Sequence, residues 1–268
     1  MATETVAGGV GGGRPSHERA GVLDTIAGMA KRANPVYATV VPVVILGALV
    51  YSVSFATLSQ HVYVHVMAGV LWTGIDVFFG LVLGPVIGRL DEAERVAVFS
   101  YLTPKLSFLL TPLSITTVFA GITLAIDMGR FPHPMPWLAL FTAATLVPSV
   151  FLIGYQFDAF HDWRWQCWQG VVTVGSLAWV ATTIGDLQGT TLAIEAALVI
   201  VTILTVEGFG VIMPGEVRVF LEVTAEDPDT GVISRIGLRN AKLSGVQGFF
   251  QVLLVVVMVW LAVGQFPL

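Results

Sequence analysis

The sequence predicts an all-α integral membrane protein, one bundle of about seven transmembrane helices with its N-terminus inside and its C-terminus outside. Three observations predict it. Of the 268 residues, 55% are hydrophobic and only 12% charged, against about 25% charged in a soluble domain. Several apolar runs reach the roughly 18 residues that a spanning helix needs. Lys and Arg are segregated to alternate connections, the pattern of the positive-inside rule.

The elements follow in order. Residues 1–33 read as a flexible cytoplasmic tail, Gly-rich over Ala7–Gly13 and without the basic start and cleavage site of a secretory signal. Within it Val22, Leu23, Ile26 and Met29 fall on one side of a short helix ending at Lys31-Arg32 that could lie on the membrane surface. Residues 34–268 form the membrane domain. Its spans are expected at roughly 36–57, 62–88, 104–128, 136–157, 168–186, 190–213 and 244–264. The fifth is short and rich in Gly, Ser and Thr, which suits close helix packing.

The thirteen Lys and Arg test the count. The tail holds Arg14, Arg19, Lys31 and Arg32. The second connection holds Arg89, Arg95 and Lys105, the fourth Arg164, and the sixth Arg218, Arg235, Arg239 and Lys242. The opposite face holds Arg130 alone. Removing the fifth span breaks this alternation, and Trp163, Trp165 and Trp168 fit an inner interfacial belt. Two inner connections read as helical. Asp91–Tyr101 opens with acidic residues, which favour a helix N-terminus. The turn signal Asp227-Pro-Asp-Thr-Gly231 predicts that the sixth and seventh helices extend inward as a hairpin.

A faint repeat relates the second–third and sixth–seventh hairpins. Lys105-Leu-Ser107 precedes the third span as Lys242-Leu-Ser244 precedes the seventh, and Phe79-Gly80 resembles Phe209-Gly210. Asp76 and Glu207 stand just before those two pairs. The hairpins share an orientation, so the repeat is parallel.

The second span carries the chemistry. At 100° per residue, His61, His65, Trp72 and Asp76 share a narrow stripe. Ionisable groups in a span cost roughly 2.5–3.5 kcal/mol each on insertion scales and face the bundle interior. Asp76 sits near mid-span, where a carboxylate is a functional candidate by default, and Glu207 nearer the inner end of the sixth span could join it in a proton or cation path. His61 sits at the outer boundary and is expected to be solvated. His61 and His65 share a face that a metal could use, and His133 in the next outer loop could join them, with Asp127, Met128 and Met135 nearby, for copper or zinc. The single Cys167 allows no intrachain disulfide and supports no Cys-based metal site.

The stretch His65-Val-Met-Ala-Gly-Val-Leu-Trp72-Thr-Gly74, running on to Leu83-Gly-Pro85, resembles the His-x-x-Ala-x-x-x-Trp-x-Gly helix of proteins related to the copper-resistance D (CopD) family. Similar helices occur in the HemJ protoporphyrinogen oxidase family and in membrane urate oxidases. The resemblance covers one helix and implies that His65 is a cofactor ligand, for haem or copper. No other expected span contains a histidine, which leaves Met128 or His133 to complete an axial pair.

Three functions are therefore expected: a haem- or metal-binding subunit linked to redox or copper handling, a proton- or cation-coupled transporter centred on Asp76, or a non-catalytic subunit of a membrane complex. Whether the chain is an enzyme is left open. The expected setting is the cell membrane, with the lipid bilayer, other membrane subunits or a redox partner as neighbours and no nucleic acid.

Overall fold

The computed structural model describes residues 21–264. The first twenty residues, read above as a flexible tail, lie outside the described residues. Seven helices are long and apolar enough to cross a membrane, and the protein is a multi-pass membrane protein. A short helix α1 (Val22–Ala33) leads into them. The spans are α2 (Pro35–Ser54), α3 (Leu58–Ile87), α4 (Glu92–Asp127), α5 (Pro134–Gln156), α6 (Trp163–Asp186), α7 (Leu192–Val223) and α8 (Thr230–Val263). Among the described residues there is no strand.

Local chemistry sets the helix starts. Asn34, at φ 91°, accepts the Val36 N–H at 2.9 Å, and Pro35 then opens α2. Thr57 with Gln60 and Asp91 with Glu94 form capping boxes, which start α3 and α4. Asp229 accepts the Val232 N–H at 2.9 Å and starts α8. The acidic start and the turn signal therefore both appear as expected, as the first turns of two long helices.

At 36 and 34 residues, α4 and α8 run roughly 50 Å, well beyond a hydrocarbon core of about 30 Å. The excess projects on the face that carries Arg89, Arg95 and Arg235, here the basic face. There Ile87, Phe99, Val219, Val232, Ile233 and Ile236 form an apolar core of their own. Helix α1 packs beside it. Arg32 Nε donates to the Ser100 carbonyl at 2.9 Å, and Gly28 lies against the Phe220 ring. Val22 and Leu23 stay exposed, while Met29 is buried.

Two of the spans contain a π-helical turn, Phe79–Leu83 in α3 and Gly208–Ile212 in α7. Each starts within a few residues of a carboxylate, Asp76 or Glu207, and each is followed by a proline, Pro85 or Pro214, at the second position of the resumed α-helix. A π-turn loosens the local hydrogen-bond ladder, and inside a membrane the freed carbonyls must find partners in the protein. In α7 amide side chains supply them. Gln156 Nε2 donates to the Gly210 carbonyl at 2.8 Å, Asn240 Nδ2 to Ile212 at 3.0 Å and Gln247 Nε2 to Leu204 at 3.0 Å.

The α3 π-turn lies against α8. Gly80 meets Gly245 backbone to backbone, and Gly248 meets Val77 one turn on. A side chain at Gly80 has no room, so glycine here sets how near the two helices come. The α3–α4 and α7–α8 hairpins thus share a π-turn, a proline, an N-cap aspartate and a Lys-Leu-Ser triplet within the next helix.

Candidate functional site

The site is built from α3, α4, α7 and α8. Asp76 stands one turn before the α3 π-turn, on the helix face turned to α8, and is 1% exposed. Gln251 Nε2 donates to Asp76 Oδ2 at 2.8 Å. The Ser244 hydroxyl and, from α3 itself, the Trp72 indole lie close to this carboxyl. Gln251 and Ser244 belong with Asn240 and Gln247 to a polar stripe on α8, each 3–6% exposed. The spacing of three to four residues places them on one helix face.

Glu207 occupies the comparable place in α7, where its Oε2 is buried without a hydrogen-bond partner. The Gln251 Oε1 is buried and unpartnered as well. Nearer the basic face Glu216 joins them. The Ser107 hydroxyl lies 3.1 Å from Glu216 Oε2 and 3.1 Å from the Thr103 carbonyl, and Asn240 lies beside this carboxyl. Ser107 and Ser244 close the two Lys-Leu-Ser motifs, and each lies against a carboxyl on the first helix of the other hairpin. Among the described residues no Lys or Arg nitrogen comes within 4.0 Å of Asp76, Glu207 or Glu216. On α8, Arg239 spends its Nη2 on Gln156 Oε1 at 3.2 Å and Asn240 Oδ1 at 3.3 Å.

A crevice of about 60 Å³ runs between α4 and α7, with Ser107, Thr111, Ser114, Thr205, Glu216 and Gln247 on its wall. A second cavity of about 80 Å³ lies towards the opposite face and is lined by His65, Thr117, Phe131, Leu254 and Met258 among others. Trp72 and Val118 belong to both walls, so a single layer of side chains separates the two spaces.

The histidines are arranged differently from their expected roles. His61 is not solvated; it is 2% exposed. Its Nε2 lies 3.2 Å from Thr123 Oγ1, and its Nδ1 lies 3.4 Å from Asp127 Oδ2. Both partners come from α4, which covers a ring that the sequence alone places at the membrane boundary. His65 has Nδ1 3.0 Å from the Thr117 carbonyl. That nitrogen must carry the hydrogen, so Nε2 is the acceptor of the neutral ring. Gly121 leaves the space that the ring occupies, since a Cβ there would come within 2.7 Å of Cε1. His133 is exposed and caps α5 at φ 50°.

Among the described residues no three His, Cys, Asp or Glu gather as a metal site, so His61, His65 and His133 are not brought together as one. The cavity beside His65 is also far smaller than the roughly 300–1,000 Å³ of pockets for drug-sized ligands.

Glu216, Gln247 and Gln251 escaped the sequence reading. The two glutamines had a usable signal, an i, i+4 polar pair inside an apolar span. No protein-family model matches the chain, nor does any curated protein or solved structure.

Proposed function

We propose that this protein moves protons or cations through the membrane and that Asp76 is its working group. The reading is carried by one observation. Asp76 is buried within a span, its bonds come from neutral donors, and no Lys or Arg neutralises it. An unpaired buried charge is too costly to be retained for packing alone, whereas a carboxyl that exchanges a proton or receives a cation needs this placement. The adjoining Glu207 oxygen and the Gln251 carbonyl, both unpartnered, give that proton or cation further places to bind.

The test is ion flux in proteoliposomes. Asp76→Asn keeps shape and hydrogen bonding but cannot titrate. It should insert and fold as the wild type does, yet lose flux. Wild-type flux in Asp76→Asn would refute the proposal.

A second reading, a copper-handling subunit related in function to the family that the α3 helix resembles, is favoured by His65 and Met258 sharing one cavity wall. Imidazole and thioether suit Cu(I), and a ligating histidine commonly donates its other N–H to a carbonyl, as His65 does to Thr117.

A further inference from the structure

We propose that the crevice between α4 and α7 is a one-sided water path that carries protons from the basic face to Asp76 and Glu207, with Glu216 as its entry carboxyl. This rests on the reading of Asp76 given above and narrows it to the proton.

The crevice has the room and the partners that water needs. One water takes about 10–15 Å³ of such space and two to four polar neighbours, and the crevice offers about 60 Å³. Its wall is mostly apolar, and the polar groups stand at intervals along it: hydroxyls of Ser107, Thr111, Ser114 and Thr205, the Glu216 carboxyl and the Gln247 amide. Its lining on α4 runs from Leu106 to Val118, roughly 18 Å at the helical rise. That is more than half of a hydrocarbon core of about 30 Å. The end near the basic face is marked by the Ser107–Glu216 contact, with Lys105 two residues further out. The inner end is closed by Trp72 and Val118.

Asp76 and Glu207 stand just behind the crevice wall, Asp76 beside Trp72 and Glu207 next in sequence to Gly208, and both Trp72 and Gly208 line the crevice. Two buried acceptors there have no donor, Glu207 Oε2 and Gln251 Oε1, and Gln251 is 3% exposed. An arriving proton supplies the missing donor, as a protonated carboxyl or a hydronium. A metal ion is less suited, because the Gln251 amide already donates to Asp76 Oδ2. Each transfer along the path breaks one O–H bond and makes another, so no further reactant is required. The charged groups around it are Asp76 on α3, Lys105 on α4, Glu207, Glu216 and Arg218 on α7, and Arg239 on α8.

Beyond Trp72 the character changes. The second cavity has one titratable residue among its described lining, His65. Trp72 lies beside Asp76 in the partition itself, so its movement would change the surroundings of Asp76 and open the partition together.

The experiment uses single cysteines in a Cys167→Ser background, in proteoliposomes of known orientation, with Ag⁺ added from the basic face. Ser107→Cys, Thr111→Cys and Ser114→Cys should react much faster than Phe119→Cys, whose parent residue is 59% exposed on the outside of the bundle. Glu216→Gln should lower proton flux about tenfold or more without slowing the Ser114→Cys reaction. Ser114→Cys reacting no faster than Phe119→Cys, or wild-type flux in Glu216→Gln, overturns the path. The two proposals fail separately. Fast reaction with undiminished flux in Asp76→Asn leaves a wet crevice but removes Asp76 as its destination. Slow reaction with lost Asp76→Asn flux keeps Asp76 and removes the crevice.

Discussion

Single residues decide whether the buried polar cluster is tolerable. Asp76 accepts from Gln251, with Ser244 and Trp72 close by, so Asp76→Leu removes an acceptor and strands the buried Gln251 donor. One stranded donor costs about 1–3 kcal/mol, and Asp76→Leu should lower thermal stability in detergent by at least that, where Asp76→Asn should not. Equal melting of the two variants would show that this bond contributes nothing. Glycine gives a second contrast. Gly80→Ala drives a methyl into the Gly245 backbone, whereas Gly47→Ala meets nothing within 4 Å. Overpacking costs about 1–3 kcal/mol, so Gly80→Ala should melt lower than Gly47→Ala. The copper reading is tested at the same scale, since His65→Ala should remove most bound copper from metal-loaded protein while insertion is unchanged. Metal content held at the wild-type level would exclude His65 as an essential ligand.

At the scale of elements, sequence and structure part company most. Spans were legible because length and hydropathy alone define them, and the α7–α8 hairpin was legible from its Asp-Pro-Asp-Thr-Gly turn. Glu216 was hidden by its neighbours. It stands just past an apolar run, beside Arg218 and Glu222, and so resembles an interfacial residue. His61 was misread because Thr123 and Asp127, which cover it, lie far along the chain on α4. The π-turns have no composition signature, since they change hydrogen bonding and little else. Their effect can be measured. Deleting one residue within Gly208–Ile212 turns the π-turn into ordinary α-helix and leaves the flanking faces in nearly the same orientation, because the π-turn already absorbs the extra residue. The Gly210 and Ile212 carbonyls, which now accept from Gln156 and Asn240, then rejoin the helix ladder. The shortened protein should still insert, with lower thermal stability, and unaltered stability would mean that the π-turn sets no packing.

For the whole molecule, the governing constraint is that backbone polar groups within the membrane find their partners in protein. Seven spans satisfy the alternation of basic residues, and that alternation predicts sidedness. A tag at the N-terminus should report the inside and a tag at the C-terminus the outside. Two tags on one side would require an even number of spans and would break the bundle described here. Fold class was readable in full, because the bilayer imposes it. The site was readable in part, because which polar residues meet depends on crossings such as Gly80 with Gly245.

The paired π-turns also bear on history. A π-turn holds one residue more than the α-helix it interrupts, and such a residue enters a gene as a single inserted codon. Here both hairpins carry it, each between an acidic residue and a proline. If the hairpins descend from a common ancestor, one insertion before copying accounts for both, whereas insertion afterwards would need the same accident twice. On that account the ancestral hairpin already had its bent first helix when it was a separate unit. It would then have worked as a pair of identical chains, and the present Asp76 and Glu216 contacts, each reaching into the other hairpin, would once have joined two molecules.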